Sequence, residues 1–298
     1  MSRHTQRIET YEELNAEFTD FEAQVRMMCE AERAVNVMVV SGDPGIGKSH
    51  RAKPILEEMK HAGKINYVYL QGQITPVQLY IKMWENPDAI FLLDDVNSII
   101  TDPKVGASLL KACTDTIPER IISWNSRNPL CVKVSKYDCQ NNIEIKEKME
   151  EIVETLDRKG LTSAHEAGET FPDMFYFTGA LIILTNKSLS AIDKATEGAV
   201  SNRGYHQEIK LTLGGSLEYL KRFGPNVNKA NMVTILPETS RIVIEYMTSE
   251  EAVKYYRSHG KKPSLRNLGK MCAEFQAKGP EALNIRTLSH LIETSEQE

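Results

Sequence analysis

The sequence predicts an α/β fold, with a mostly parallel sheet covered by helices on both faces and a smaller, mainly helical C-terminal domain. Three observations predict it. Apolar, β-forming runs at 37–40, 65–70, 89–96 and 180–186 are separated by stretches of helical spacing, as strand–helix–strand crossovers require. Several of these runs are apolar throughout rather than alternating, the pattern of strands buried on both faces. The tail beyond residue 215 is rich in helical spacing and poor in strand signals. This divides the chain into an N-terminal helical extension (1–34), a core (35–214) carrying an insertion at about 119–178, and a C-terminal domain (215–298). Gly214-Gly215 is the expected hinge.

Taken in order, the acidic stretch before Ala34 reads as one or two helices. Val37 to Val40 form a central strand. The next eight residues, Gly42-Asp43-Pro44-Gly45-Ile46-Gly47-Lys48-Ser49, match G-x-x-x-x-G-K-[ST] without a mismatch. Glycines let a backbone turn its N–H groups inward and approach a polyphosphate with no Cβ in the way. Lys48 can then reach the β- and γ-phosphates, and the Ser49 hydroxyl can ligate Mg²⁺. His50 opens a helix running to His61, whose positive N-terminal end faces the same phosphates. Pro54 suits that helix only in its first turn. The pattern predicts ATP as ligand, bound through residues 42–50 with Mg²⁺.

Ile65 to Leu70 form the next strand. "TPVQLYIKMW" follows as a helix, with Thr75 as N-cap and Pro76 at the first helical position. "AIFLLDDV" (Ala89–Val96) is an apolar strand ending in two carboxylates. In phosphate-loop enzymes one acid at such an end holds the Mg²⁺ shell, and the next orients water. Asp94 suits the first role and Asp95 the second; the plainer alternative is a buried strand whose acidic end merely meets solvent. "ALIILTN" (Ala180–Asn186) ends in an asparagine able to hydrogen-bond a γ-phosphate or the attacking water, or simply to form a turn.

The insertion is less legible. "RIISWNSRNPLCVKVSKYD" reads as two short strands joined by a turn at Asn125–Pro129. Arg120, Arg127, Lys133 and Lys136 alternate there with Trp124 and Tyr137. Basic groups neutralise phosphates and aromatics stack on bases, so Trp124, Arg127, Lys133 and Lys136 are candidates for nucleic-acid contact. The alternative is an ordinary hairpin with Trp124 buried. "NNIEIKEKMEEIVETLDRKG" reads as a capped amphipathic helix with Met149, Ile152, Val153 and Leu156 on one face. In the tail, "MVTILPETSRIVIEYM" is the place for a small hairpin.

Composition sets the bounds. Of 298 residues 41% are hydrophobic, and no apolar run is long enough to cross a bilayer. The first residues lack a signal-peptide core. Five cysteines, with no C-x-x-C pair, suggest neither a disulfide framework nor a zinc site. A reduced, cytoplasmic setting is expected. The net charge of −5 leaves no general basic coat, so any nucleic-acid contact must be local.

Together the phosphate loop, the acidic strand and Asn186 resemble the AAA+ ATPases, in the order that family uses. Asn186 stands where the family has sensor 1. "AVSNRGYHQEIKL" stands at its arginine finger and "KKPSLRNLGKM" at the sensor 2 helix of its lid. The resemblance spans residues from about 35 to 275. It implies that Arg203 is a finger reaching a neighbouring subunit's nucleotide, that Arg266 contacts phosphates from its own subunit's lid, and that the chain forms a ring or open ring. Left to themselves, Arg203 reads as a surface arginine near a helix C-terminus, and Arg266 as part of a solvated helical face. "F-x-F-x-G" before the sensor strand and "Q-G-x-I-T-P-x-x-L-Y" before the acidic one are similar to ATPases of bacteriophages and mobile elements. That implies DNA and other replication or phage proteins as partners.

Two departures from the family stand out. Asp94-Asp95 replaces the usual Asp-Glu, which sets the second carboxylate about 1.5 Å further back and predicts slow hydrolysis. "SNRG" replaces the usual direct Ser-Arg. The expectation is a Mg²⁺-dependent ATPase remodelling DNA or a DNA–protein complex. The alternatives are a slowly hydrolysing, ATP-gated scaffold that recruits proteins and, less favoured, a phosphate-loop kinase.

Overall fold

The computed structural model describes residues 5–96, 98–99, 105–117, 119–124, 130–137, 139–158, 170–196, 198, 203–230 and 233–297. Its elements begin with β1 (Thr5–Ile8), α1 (Tyr11–Met28), β2 (Val37–Gly42), α2 (Lys48–His61), β3 (Tyr67–Gln71), α3 (Pro76–Glu85), β4 (Ile90–Asp94) and α4 (Val105–Cys113). β5 (Arg120–Ser123), β6 (Cys131–Val132), α5 (Asn142–Arg158), β7 (Phe171–Pro172), β8 (Met174–Phe177), β9 (Ala180–Thr185), α6 (Leu189–Thr196) and β10 (Tyr205–Leu211) follow. The rest is α7 (Leu213–Phe223), β11 (Lys229–Ala230), β12 (Val233–Thr234), α8 (Pro237–Met247), α9 (Glu250–His259), α10 (Leu265–Lys278) and α11 (Ile285–Gln297). This is a mixed α/β protein with a mostly parallel sheet flanked by helices. Among the described residues no helix is long and apolar enough to cross a membrane.

The chain forms two compact units. One comprises Gln24–Ser41 and Ala52–His206; the other comprises Ser2–Ala23, Gly42–Arg51 and Gln207–Glu298. In the first, β2, β9, β4 and β3 pair in parallel in that order. The registers Ser41↔Thr185, Leu93↔Ile183 and Gln71↔Asp94 align their carboxyl ends. Every residue of β4 and β9 is buried, which explains their unbroken apolar runs. α3 begins as expected, with Thr75 and Gln78 in a reciprocal capping box and Pro76 in the first turn. Its Tyr80 and Trp84 pack on Phe175, with centroids 5.0 and 5.9 Å away.

The insertion departs from the expected hairpin. β5 pairs antiparallel with β8, and β6 pairs parallel with β7, so β5 and β6 do not partner each other. β8 offers Phe175 and Phe177 to the core on alternate positions, which draws β5 away from its sequence neighbour. Asp173 stabilises the detour by accepting from Val134 N at 2.8 Å, Ser135 N at 3.1 Å and Ser135 Oγ at 2.7 Å. α5 forms as its periodicity predicts.

In the second unit β1 pairs in parallel with β10, through registers such as Ile8↔Leu211. This strand ahead of α1 is not apparent from the sequence. The expected hinge at Gly214–Gly215 lies instead inside α7, whose N-cap Thr212 accepts from Gly215 N at 3.1 Å. Gly215 is required by space, because a Cβ there would stand 2.4 Å from Ile8 O. α8, α9, α10 and α11 surround Val243, Met247, Tyr256, Leu268, Met271 and Leu288. A two-stranded β11–β12 ladder precedes α8, which takes up most of the segment expected to be a hairpin.

Candidate functional site

In the second unit the glycine-rich loop joins the last residue of β2 to α2. Gly45 and Gly47 adopt φ of +75° and +96°, conformations that leave glycine little competition. Gly42 is fixed by space: a Cβ there would lie 2.7 Å from Ile209 O and 2.9 Å from Ile46 Cδ1. Lys48 is buried, and its Nζ donates to Gly42 O at 2.8 Å and Asp43 O at 3.1 Å. Pro44 and His50 are exposed, Ser49 is half-buried and Ile46 is packed inside. Pro54 stands in the interior of α2, beyond the first turn, with an exposed side chain.

Two side chains from outside the loop hold it, Tyr219 and Lys262. Tyr219 of α7 donates its hydroxyl to Ile46 O at 2.8 Å, and burial pushes its pKa up to about 12. The Asp43 carboxylate accepts from Leu211 N at 3.1 Å and from Lys262 Nζ at 2.9 Å. Lys262 also donates to Leu211 O at 2.7 Å. Arg266 comes to the same place. Ser264 caps α10 by accepting from Asn267 N, and a Cβ on Gly45 would lie 3.5 Å from Ser264 Cβ and 3.6 Å from Arg266 N. A cleft of about 200 Å³ lies among Gly45, Tyr219, Lys262, Ser264 and Arg266.

In the first unit Asp94 ends β4 nearly buried and accepts from Tyr69 Oη at 3.0 Å. Burial, then the Asp94 contact, raises the Tyr69 pKa well above the ordinary phenol value. Lys53 Nζ sits 3.5 Å from the centroid of the Tyr69 ring. Asp95 adopts φ of +54°, uncommon for a residue with a Cβ. Its N–H donates to Leu184 O at 2.9 Å, and Asn186 Nδ2 donates to its Oδ2 at 3.2 Å. The unit therefore gathers Asp94, Asp95 and Asn186 at one end of its parallel strands.

Arg203 donates from Nη1 to Lys111 O at 2.9 Å, in the last turn of α4. Arg120 is almost wholly buried and donates to Gly179 O, with its guanidinium 5.1 Å from the Phe177 ring centroid. Trp124 packs 5.4 Å from Tyr80 by ring centroids. Lys133 lies 4.0 Å from Asp173, and Lys136 Nζ lies 4.7 Å from the Tyr137 ring centroid. Arg127 lies outside the described residues.

Nothing in the sequence marks Tyr69, Tyr219 or the pairing of Asp43 with Lys262. Ser264 alone carried a signal, a serine just ahead of a helical run.

No known family model matches the chain. It is 31% identical over 94 residues to an uncharacterized 36.7 kDa protein of the nrdC-mobD intergenic region of Enterobacteria phage T4, a match covering 31% of this chain and 28% of that protein. Among solved structures it resembles domain III of the Thermotoga maritima replication initiation protein DnaA, with TM-score 0.44 and 11% identity, over 93% of this chain and 91% of that one. It also resembles a chain of the E. coli MS115-1 HORMA:CdnC:Trip13 complex, with TM-score 0.40 and 11% identity, over 95% of this chain and 91% of that one. Likenesses this distant assign no family.

Proposed function

We propose that the protein is a Mg²⁺-dependent ATPase that assembles into a homo-oligomer and couples ATP binding and hydrolysis to remodelling of DNA or a DNA–protein complex. The observation that carries this reading is the loop itself. Its motif is complete, Gly45 and Gly47 hold left-handed conformations, and Lys48 is buried against carbonyl dipoles at the start of α2. A Cβ at Gly45 would fill the space beside Ser264 and Arg266. Glycine-opened backbone and a buried ammonium, with the N–H and Cβ of Arg266 beside Gly45, form a site suited to a polyanion.

On this reading residues 42–50 bind the polyphosphate, with Lys48 reaching the β- and γ-phosphates. Ser49 and Asp94 are the Mg²⁺ holders, as their order along the chain implies. When bound, the metal neutralises charge developing on the phosphoryl oxygens. Asp95 orients the attacking water, its carboxylate steadied by Asn186. Arg266 senses the phosphates from beside Gly45, and Arg203 serves a neighbouring subunit. The phage T4 relative supports a viral setting; the same proposal takes replication proteins or DNA as partners and the host cytoplasm as location. A scaffold that binds ATP and hydrolyses it poorly is the second reading, favoured by the short Asp95 side chain and its strained backbone.

The test is steady-state ATP hydrolysis across protein concentrations, with and without single- and double-stranded DNA. Specific activity that rises with protein concentration and with DNA supports the assembled motor. Tight ATP binding with negligible turnover selects the scaffold.

A further inference from the structure

The carboxylate at the end of β4 has a partner that neither the motif nor the resemblance assigns. Tyr69 lies on β3, beside β4, and its hydroxyl reaches Asp94 Oδ2 at 3.0 Å. The same hydroxyl lies 2.7 Å from Oε1 of Gln71, which pairs in register with Asp94. A tyrosine hydroxyl has one proton. Both contacts are satisfied together when the Gln71 amide is turned to donate to the tyrosine oxygen and the tyrosine donates to Asp94. The ring is held in turn by Lys53 of α2, 3.5 Å from its centroid.

We infer that Tyr69 is a positioning residue for the metal-holding carboxylate. Its hydroxyl occupies Oδ2 of Asp94, fixes the rotation of that side chain and presents the other oxygen to a divalent cation. This rests on the proposed role of Asp94 and deepens it. A carboxylate free to rotate must be ordered when the cation arrives, whereas one already held by a neighbouring donor is not. Outer partners of this kind typically change metal affinity by about ten- to a hundredfold. Tyr69 is half-buried on β3, and strand pairing brings its hydroxyl to the acidic end of β4.

The experiment uses the full chain saturated with a non-hydrolysable ATP analogue and measures Mn²⁺ binding by electron paramagnetic resonance. Tyr69→Phe keeps the ring under Lys53 and removes only the hydroxyl. The expected result is about tenfold weaker Mn²⁺ binding, with metal-free analogue affinity within about twofold of wild type and an intact thermal transition. In turnover, the Mg²⁺ concentration for half-maximal rate should rise by a similar factor, while kcat at saturating Mg²⁺ recovers. Added to Asp94→Asn, Tyr69→Phe should change Mn²⁺ binding no further. Unchanged or tighter Mn²⁺ binding in the single variant, with Asp94→Asn still impaired, overturns the role of Tyr69 and leaves the ATPase reading standing. Wild-type protein that binds neither the analogue nor Mn²⁺ overturns that reading itself. If Tyr69→Phe does not fold, Gln71→Leu carries the test: weaker Mn²⁺ binding supports the relay, and unchanged binding overturns it.

Discussion

Gly45 and Gly42 are glycine for different reasons, and substituting each separates the two. At Gly45 the obstacle is backbone angle. Its φ of +75° is left-handed, while an added Cβ would find ordinary van der Waals room 3.5 Å from Ser264 Cβ. Holding an L-residue there costs roughly 1–2 kcal/mol. Gly45→Ala should therefore lower Tm by about 2–4 °C, and Gly45→Asn by less, since asparagine tolerates that region. At Gly42 the obstacle is space, because the Cβ would stand 2.7 Å from a backbone carbonyl. Gly42→Ala should cost about 1–3 kcal/mol by overpacking, and asparagine should be worse rather than better. Calorimetric melting with and without Mg²⁺-ATP reads both effects. At a hundred times its Kd, ATP should stabilise the wild type by about 2.7 kcal/mol, a gain the alanine variants lose in part. A Gly45→Ala protein with wild-type melting, or an asparagine variant worse than alanine there, would refute the division between angle and space.

Other expectations concern the residues around the loop and the oligomer. Arg203→Ala should reduce turnover about a thousandfold or more and leave ATP affinity nearly intact in equilibrium binding; full activity with only a modest loss of stability would reduce Arg203 to the α4 cap seen at Lys111 O. Tyr219→Phe should cost about 1–2 kcal/mol in urea denaturation, because Ile46 O loses its buried donor. The same residue predicts a pH effect. Its folded pKa lies near 12, above the ordinary value of 10.0, so its stabilising contribution is whole below pH 10 and is lost as pH rises towards 12. Tyr219→Phe should flatten that alkaline decline; an unchanged profile would assign it to other groups.

What could be read from the sequence was what lies close along the chain. The phosphate loop is eight consecutive residues, and the Thr75 N-cap stands directly before Pro76 at the first helical position, so both are legible in the sequence. β4 and β9 announced themselves because burial on both faces leaves only apolar residues. Non-local choices were not visible. β5 leaves β6 for β8, more than fifty residues away, because Phe175 and Phe177 anchor that strand in the core. Gly215 reads as a hinge in the sequence, but in the fold it sits inside α7 with Ile8 O against it. Tyr69 and Tyr219 are single tyrosines with no spacing to mark them. They matter only because neighbouring elements bring one to a carboxylate and the other to a loop carbonyl.

The most direct test of the central claim is equilibrium binding of ATP, in the presence of Mg²⁺, to the wild type and to Lys48→Ala. A charge-assisted contact of about 1.5–3 kcal/mol predicts measurable binding by the wild type and at least about tenfold weaker binding by the variant. Equal affinity in the two proteins, or no binding by the wild type, would contradict the assignment of Gly42–Ser49 as a nucleotide site.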